Sequence, residues 1–181
     1  RKFFLFLHGY DCHGQSNPEG GFDYRFVDPG YDRKYTGSEQ EQEILREQGL
    51  DMGRLTLRDA DVRFWRAIYD EKIQRAGARF QMVLAELDRL GLTDRTLFVV
   101  TSDHGTEFLE HGRFDHGFTL FNEQIHVPLV IKLPDASLRP RAVDTRVSSI
   151  DLMPTILDLL DVPIPPAVEK QMRGTSLTPL M

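Results

Sequence analysis

The stretch Thr96-Leu-Phe-Val-Val-Thr-Ser102-Asp103-His104-Gly105 constrains this chain more than any other. An apolar run rich in β-branched residues ends abruptly in a polar tip. A continuous run of this length predicts a strand buried on both faces, as in a parallel sheet. In open α/β sheets, ligands are met just beyond the carboxyl ends of such strands. Asp103 and His104 stand at that position, and Gly105 lets the backbone turn sharply. On these residues alone two readings are equally open, a turn leading into the next element and a pair of metal ligands.

Phe3 to Leu7 repeats the pattern, an apolar run ending in His8-Gly-Tyr-Asp11-Cys-His13-Gly14. Residues 14 to 38 are rich in Gly, Pro, Asp and Tyr and predict a long irregular segment, the kind of loop that often carries function. Its Tyr24, Arg25, Tyr31, Arg33, Lys34 and Tyr35 are suited to meet a sugar or aryl group or, equally, to form a solvated loop. Glu39 to Gly49 has weak helical signals. From Thr56 to Leu90, apolar residues fall at Val62, Trp65, Tyr69, Ile73, Ala76, Phe80, Val83, Leu84, Leu87 and Leu90. Spacing by threes and fours predicts a helix with a core-packing stripe. Thr56 and Asp59 suggest its start, Gly91 its stop, and Gly77 a weak point at which it divides or continues.

Further on, Phe118 to Gln124 reads as a short helix, His126 to Lys132 as a strand and 134–140 as a linker. Val143 to Val147 alternates like a short strand, and Asp151 to Leu160 reads as a helix capped by Ser149 or Asp151. Strand and helix alternate, so the class is α/β.

A net charge of −6 gives no reason to expect a nucleic-acid partner. The single cysteine, Cys12, rules out an internal disulfide and leaves the compartment open. No apolar run is long enough to span a bilayer. The abrupt start at Arg1 and end at Met181 predict a piece of a longer protein.

Three polar clusters carry the chemistry: His8, Asp11 and His13; Asp103 and His104; and Glu110 to Gly117, which includes His111 and His116. Neighbouring strands would gather them on one sheet edge. Asp103 and His104 offer a hard oxygen and an imidazole nitrogen to one divalent ion. His13 and His116 are then candidates for contacting an anionic ester or protonating a leaving group, since imidazole titrates near neutrality. His8, His111 and His126 read as exposed or structural residues, and Cys12 as a small, partly buried side chain.

The residues Leu97 to Gly112, with Ser-Asp-His-Gly followed by Glu-His-Gly, resemble the sulfatase signature. Phe114-Asp-His-Gly through Val-Pro-Leu-Val-Ile131, the Phe3–His13 strand and tip, Tyr69-Asp-Glu-Lys-Ile73, and Ser149–Asp158 with Gly174-Thr-Ser-Leu177 match the same family in order. The resemblance implies an incomplete α/β fold, a mostly parallel sulfatase/alkaline phosphatase-like sheet flanked by helices, with residues 1–181 as the C-terminal part of a single catalytic domain. It implies Asp103 and His104 as metal ligands, usually for calcium, and His13 and His116 as catalytic, substrate-sulfate contacts. The implied activity is hydrolysis of a small-molecule or carbohydrate sulfate ester, in the periplasm or outside the cell. The family's formylglycine nucleophile arises in Cys/Ser-x-Pro-x-Arg, which this sequence lacks, as it lacks the family's Asp pair. Cys12-His-Gly-Gln-Ser16 also departs from the common Pro-His-Ala-Pro-Tyr. The fragment alone is therefore expected to be inactive. Phosphonate monoester hydrolases and phosphodiesterases share the scaffold, and a non-catalytic binding domain is a further alternative.

Overall fold

Ser38 is the first strong helix signal that the chain obeys. Its hydroxyl accepts from Glu41 N–H while Glu41 reaches back to Ser38 N–H at 3.0 Å, a reciprocal cap that opens α1, Glu39–Gln48. The computed structural model describes residues 3–14, 16–49, 55–134 and 139–181. The predicted long helix is α2, Asp59–Arg89, unbroken through Gly77. Thr56 does not cap it. Asp61, in the first turn, takes Arg58 N–H at 3.2 Å and sets the start there.

The described residues form two units, 1–93 with 100–130 and 94–99 with 131–181. In the first, Val27, Tyr31, Leu45, Leu55, Phe64, Trp65, Ala67, Ile68 and Phe114 make the core. Only the first half of α2 takes part. Ile73, Phe80 and Leu90 on the expected stripe remain 47%, 38% and 51% exposed. The buried face instead carries Asp61, Glu71 and Lys72, charged groups that periodicity cannot distinguish from surface residues.

The segment 14–38 is not a free loop. Tyr31 stacks on Phe64 at 4.7 Å, Tyr35 leans on Trp65 at 5.5 Å, and Arg33 lies over Tyr24 at 4.5 Å. Of the residues that suit a sugar, Tyr31 and Tyr35 are spent on packing, while Arg25, Arg33 and Lys34 remain exposed.

Four strands are present among the described residues: β1 Phe98–Thr101, β2 Glu107–Phe108, β3 Phe114–Asp115 and β4 Leu129–Lys132. β1 neighbours β4, and β2 pairs antiparallel with β3, placing Glu107 opposite Asp115 and Phe108 opposite Phe114. β1 is half-exposed rather than buried on both faces. Phe3 to Leu7, expected as a strand, forms none, and all five side chains are more than half exposed. An apolar run becomes a strand only where a neighbour satisfies its backbone. Val143–Val147 likewise forms no strand. The predicted helix at 118–124 is α3, Asn122–Ile125, and much of the 134–140 linker lies outside the described residues.

In the second unit a 3-10 turn, Ser149–Asp151, leads into α4, Leu152–Leu159. Asp151 accepts from Ser148 N–H at 2.8 Å and Thr175 N–H at 2.9 Å, and buried Thr155 accepts from Leu177 N–H at 2.9 Å. Those bonds tie α4 to the Gly174-Thr-Ser-Leu177 stretch. A short α5, Pro166–Glu169, follows α4. No helix among the described residues is long and apolar enough to cross a membrane.

Candidate functional site

Three segments distant in sequence meet in the first unit: the 8–14 turn, the tip after β1 and the turn after β3. One ring nitrogen from each of His13, His104 and His116 lies within 4.8 Å of the others. The His104 and His116 rings stack at 3.9 Å, and His13 meets His116 edge-on at 5.0 Å. They line a cavity of about 320 Å³ together with Tyr69, Lys72, Asp103 and Asp115. None of Tyr24, Arg25, Tyr31, Arg33, Lys34 and Tyr35 lines it.

Each histidine is held by its own surroundings. His104 Nδ1 lies 2.8 Å from Gly105 O, and Ser102 Oγ donates to His104 O at 2.6 Å. Gly105 does not serve through a left-handed backbone. A Cβ there would sit 2.1 Å from Glu123 O, and its N–H donates to Gln124 O at 2.7 Å. The glycine is required by close approach. His116 Nδ1 lies 2.6 Å from Asp115 Oδ1, a carboxylate that is 4% exposed. Gly14 makes room for that carboxylate, since a Cβ would meet its oxygens at 3.1 and 3.2 Å. Arg46 Nε is 3.6 Å from the other Asp115 oxygen. Behind the following turn, Gln124 bridges Gly117 N–H at 2.9 Å and buried Glu107 at 3.0 Å.

His13 is placed from below. Lys72 Nζ, buried on α2, donates to His13 O at 2.9 Å, Gly14 O at 2.7 Å and Gln42 Oε1 at 3.0 Å. Burial pulls this ammonium down to about 8, against the pull of the Asp115 carboxylate. Burial, aided by the neighbouring His116, also lowers the His13 imidazole. The Cys12 thiol is pushed up by burial and by Asp11, so it is a poor nucleophile.

Asp103 stands beside His104 at the exposed edge of the cavity. Its side chain is 68% exposed, 4.0 Å from His8 and 3.8 Å from His104 Nε2. Its Oδ1 accepts the N–H of the next residue, His104, at 3.1 Å. Partial burial raises its carboxyl, but the His104 ring and backbone N–H groups outweigh that and hold it below the usual range. His111 faces Glu123 at 3.3 Å and stacks on Phe121 at 3.6 Å, outside the cluster. His8 is half-exposed.

Calcium takes six to eight oxygen ligands. Among the described residues the cavity offers two carboxylates, one exposed and one committed to His116. The described residues by themselves therefore do not complete a calcium shell. What converges instead is imidazole nitrogen, able to donate to anionic oxygens or, when neutral, to ligate a softer ion.

Lys72, Asp115, Arg46 and Gly14 escape sequence reasoning, because their partners are distant along the chain. Two signals were nonetheless present: a lysine beside the apolar stripe of α2, and an aspartate immediately before His116.

The sulfatase family model matches residues 1–162. Arylsulfatase K of Bos taurus is 32% identical over 67% of this chain and 21% of its own length. A phosphonate monoester hydrolase from Silicibacter pomeroyi superposes with a TM-score of 0.61 at 35% identity, over 70% of this chain and 24% of that one. A structure in complex with its substrate D-glucosamine-2-N,6-O-disulfate superposes with a TM-score of 0.52 at 27% identity, covering 78% and 27%. The chain spans about a fifth of the length of the curated relatives it matches.

Proposed function

This chain belongs to the sulfatase family, with its incomplete α/β, alkaline phosphatase-like fold, and from that premise we propose that it supplies the anion-binding part of a sulfate-ester hydrolase. The observation that carries this reading is the convergence of His13, His104 and His116 on one cavity from three separate segments. His13 and His116 would donate to the sulfuryl oxygens, where charge builds as the ester bond breaks. Either, when protonated, can pass its proton to the departing alkoxide. Lys72 and Asp115 keep the two rings in place, so little reorganisation accompanies the reaction. The nucleophile in this reading is the hydrated aldehyde of a formylglycine contributed by chain other than these 181 residues. The substrate class is a sulfated carbohydrate or aryl ester, a reading supported by the disulfated glucosamine in the similar complex.

A second reading, hydrolysis of a phosphonate monoester or phosphodiester, is favoured by the likeness to the Silicibacter pomeroyi hydrolase. Assays of the full-length protein with an aryl sulfate and a phosphonate monoester in parallel separate the two. Preference for the sulfate, lost in His13→Ala, supports the first reading, and preference for the phosphonate replaces it with the second. If neither ester turns over, the site is a non-catalytic binding domain. The 181-residue chain by itself is expected to give no turnover.

A further inference from the structure

The turn that presents His116 is unfavourable in three ways at once. Asp115 and Gly117, on either side of His116, both have left-handed backbones, with φ of +76° and +95°. Glycine takes that conformation freely and aspartate does not. Buried Glu107 stands directly opposite buried Asp115 in the β2–β3 pair, a match of two acids that a ladder disfavours. Glu107 Oε2 has no hydrogen-bond partner among the described residues, an exception to the rule for buried polar atoms. Backbone strain of this kind persists only where the surroundings over-determine it, and it gathers at functional sites.

Gln124, on α3, is what over-determines this turn. Its Oε1 accepts Gly117 N–H at 2.9 Å, while its Nε2 donates to Glu107 Oε1 at 3.0 Å and to Thr119 Oγ1 at 2.8 Å. The Thr119 hydroxyl donates in turn to the same Glu107 oxygen. Gln124 O also accepts Gly105 N–H at 2.7 Å. One buried residue therefore holds the backbone next to His104 through its main chain and the backbone next to His116 through its side chain. A leucine of similar size would fill the space and bond neither. We propose that Gln124, anchored by Glu107 and Thr119, is a positioning residue that sets the His116 turn against the tip carrying His104 and so fixes how His116 meets the ester. This rests on the reading of His116 as an ester contact. Neither Gln124 nor Glu107 lines the cavity, so both act through His116.

The test combines steady-state kinetics of the full-length protein, on an aryl sulfate and a phosphonate monoester, with amide hydrogen exchange read by mass spectrometry. Gln124→Leu should lower kcat by about 10–100-fold toward whichever ester is turned over, with KM within about twofold. Glu107→Leu should do the same, and Glu107→Gln, which keeps the accepting oxygen, should recover most of the loss. His111→Ala removes contacts with Glu123 and Phe121 beside Gln124 but none of these bonds, and should leave kcat within about twofold. Exchange in peptides covering 115–119 should quicken by about fivefold or more in Gln124→Leu, with α1 unchanged. Should Gln124→Leu fail to fold, Gln124→Glu carries the same expectations, since it keeps the acceptor for Gly117 but sets a second carboxylate against Glu107. Unchanged kcat, a loss that falls on KM instead, or equal losses in Glu107→Gln and Glu107→Leu would overturn the proposal. If the unaltered protein turns over neither ester, the hydrolase reading fails by itself and exchange decides the positioning role. Faster exchange confined to 115–119 then upholds it, and unchanged exchange there overturns it.

Discussion

Two polar clusters lie in the same unit, and they are built on opposite principles. Around Asp61, which is fully buried, every valence is filled. Tyr31 hydroxyl donates at 3.0 Å, Lys34 Nζ at 3.2 Å, and Arg58 through Nε at 3.0 Å and Nη2 at 2.6 Å. Around His13, His104 and His116 the outer atoms are tied and the inner ones converge on a cavity. Saturation marks structure, and valences left open in a cavity mark chemistry. A buried charge is therefore a poor guide to function until its partners are counted.

Removing the hub of the saturated cluster should do the most harm. Asp61→Ala takes an acceptor from Lys34, from the Tyr31 hydroxyl and from Arg58, which keeps Asp32, at a cost of about 2–3 kcal/mol measured by urea unfolding. A loss below about 1 kcal/mol would mean that the cluster is solvated and the contrast false. The same cluster sets an acid limit. Arg58, Lys34 and Tyr31 outweigh desolvation and hold the Asp61 carboxyl far below its ordinary 3.8. A group depressed in the folded state contributes stability above its unfolded value, lost as pH falls through the folded one. The difference in urea midpoint between the unaltered chain and Asp61→Asn should thus shrink as pH falls from about 6 to about 3. An unchanging difference would show that the depression is absent.

Next in size is Gly105→Ala, whose Cβ would collide with Glu123 O at 2.1 Å. Thermal melting should reveal about 2 kcal/mol of destabilisation, as for other overpacked sites. Lys72→Met, similar in volume, should cost about 1–2 kcal/mol by stripping a donor from three oxygens. Its more telling effect is on the loop that presents His13. In the full-length protein it should lower kcat by about tenfold or more with little change in KM, whereas a purely structural lysine would leave kcat alone. The smallest effect belongs to His111→Ala, which loses a ring stack and a half-exposed contact with Glu123, within about 1 kcal/mol.

What the sequence made legible follows the range of the interactions. α1 and α2 are encoded locally, by Ser38 with Glu41 and by apolar residues at threes and fours, so they could be read. The turns carrying His13, His104 and His116 were also readable, because each follows an apolar run or sits in a Gly-rich tip. Lys72 was not, because its partners His13 O and Gly14 O are 59 and 58 residues away. Asp61 looked like a helix-start acid and proved to be the hub of a buried network for the same reason. Phe3–Leu7 misled in the other direction. Its composition is that of a strand, but a strand also needs a neighbour, which composition cannot supply.

The contrast between saturated and open clusters is tested most directly by kcat/KM of the full-length protein toward an aryl sulfate, measured for His13→Ala, His116→Ala and His111→Ala. His13→Ala and His116→Ala should each lose about 10²–10⁴-fold, the range of a positioned proton donor, with melting temperatures close to that of the unaltered protein. His111→Ala should stay within about twofold. Comparable losses in all three variants, or full activity in His13→Ala, would contradict the placing of the chemistry at the converging histidines.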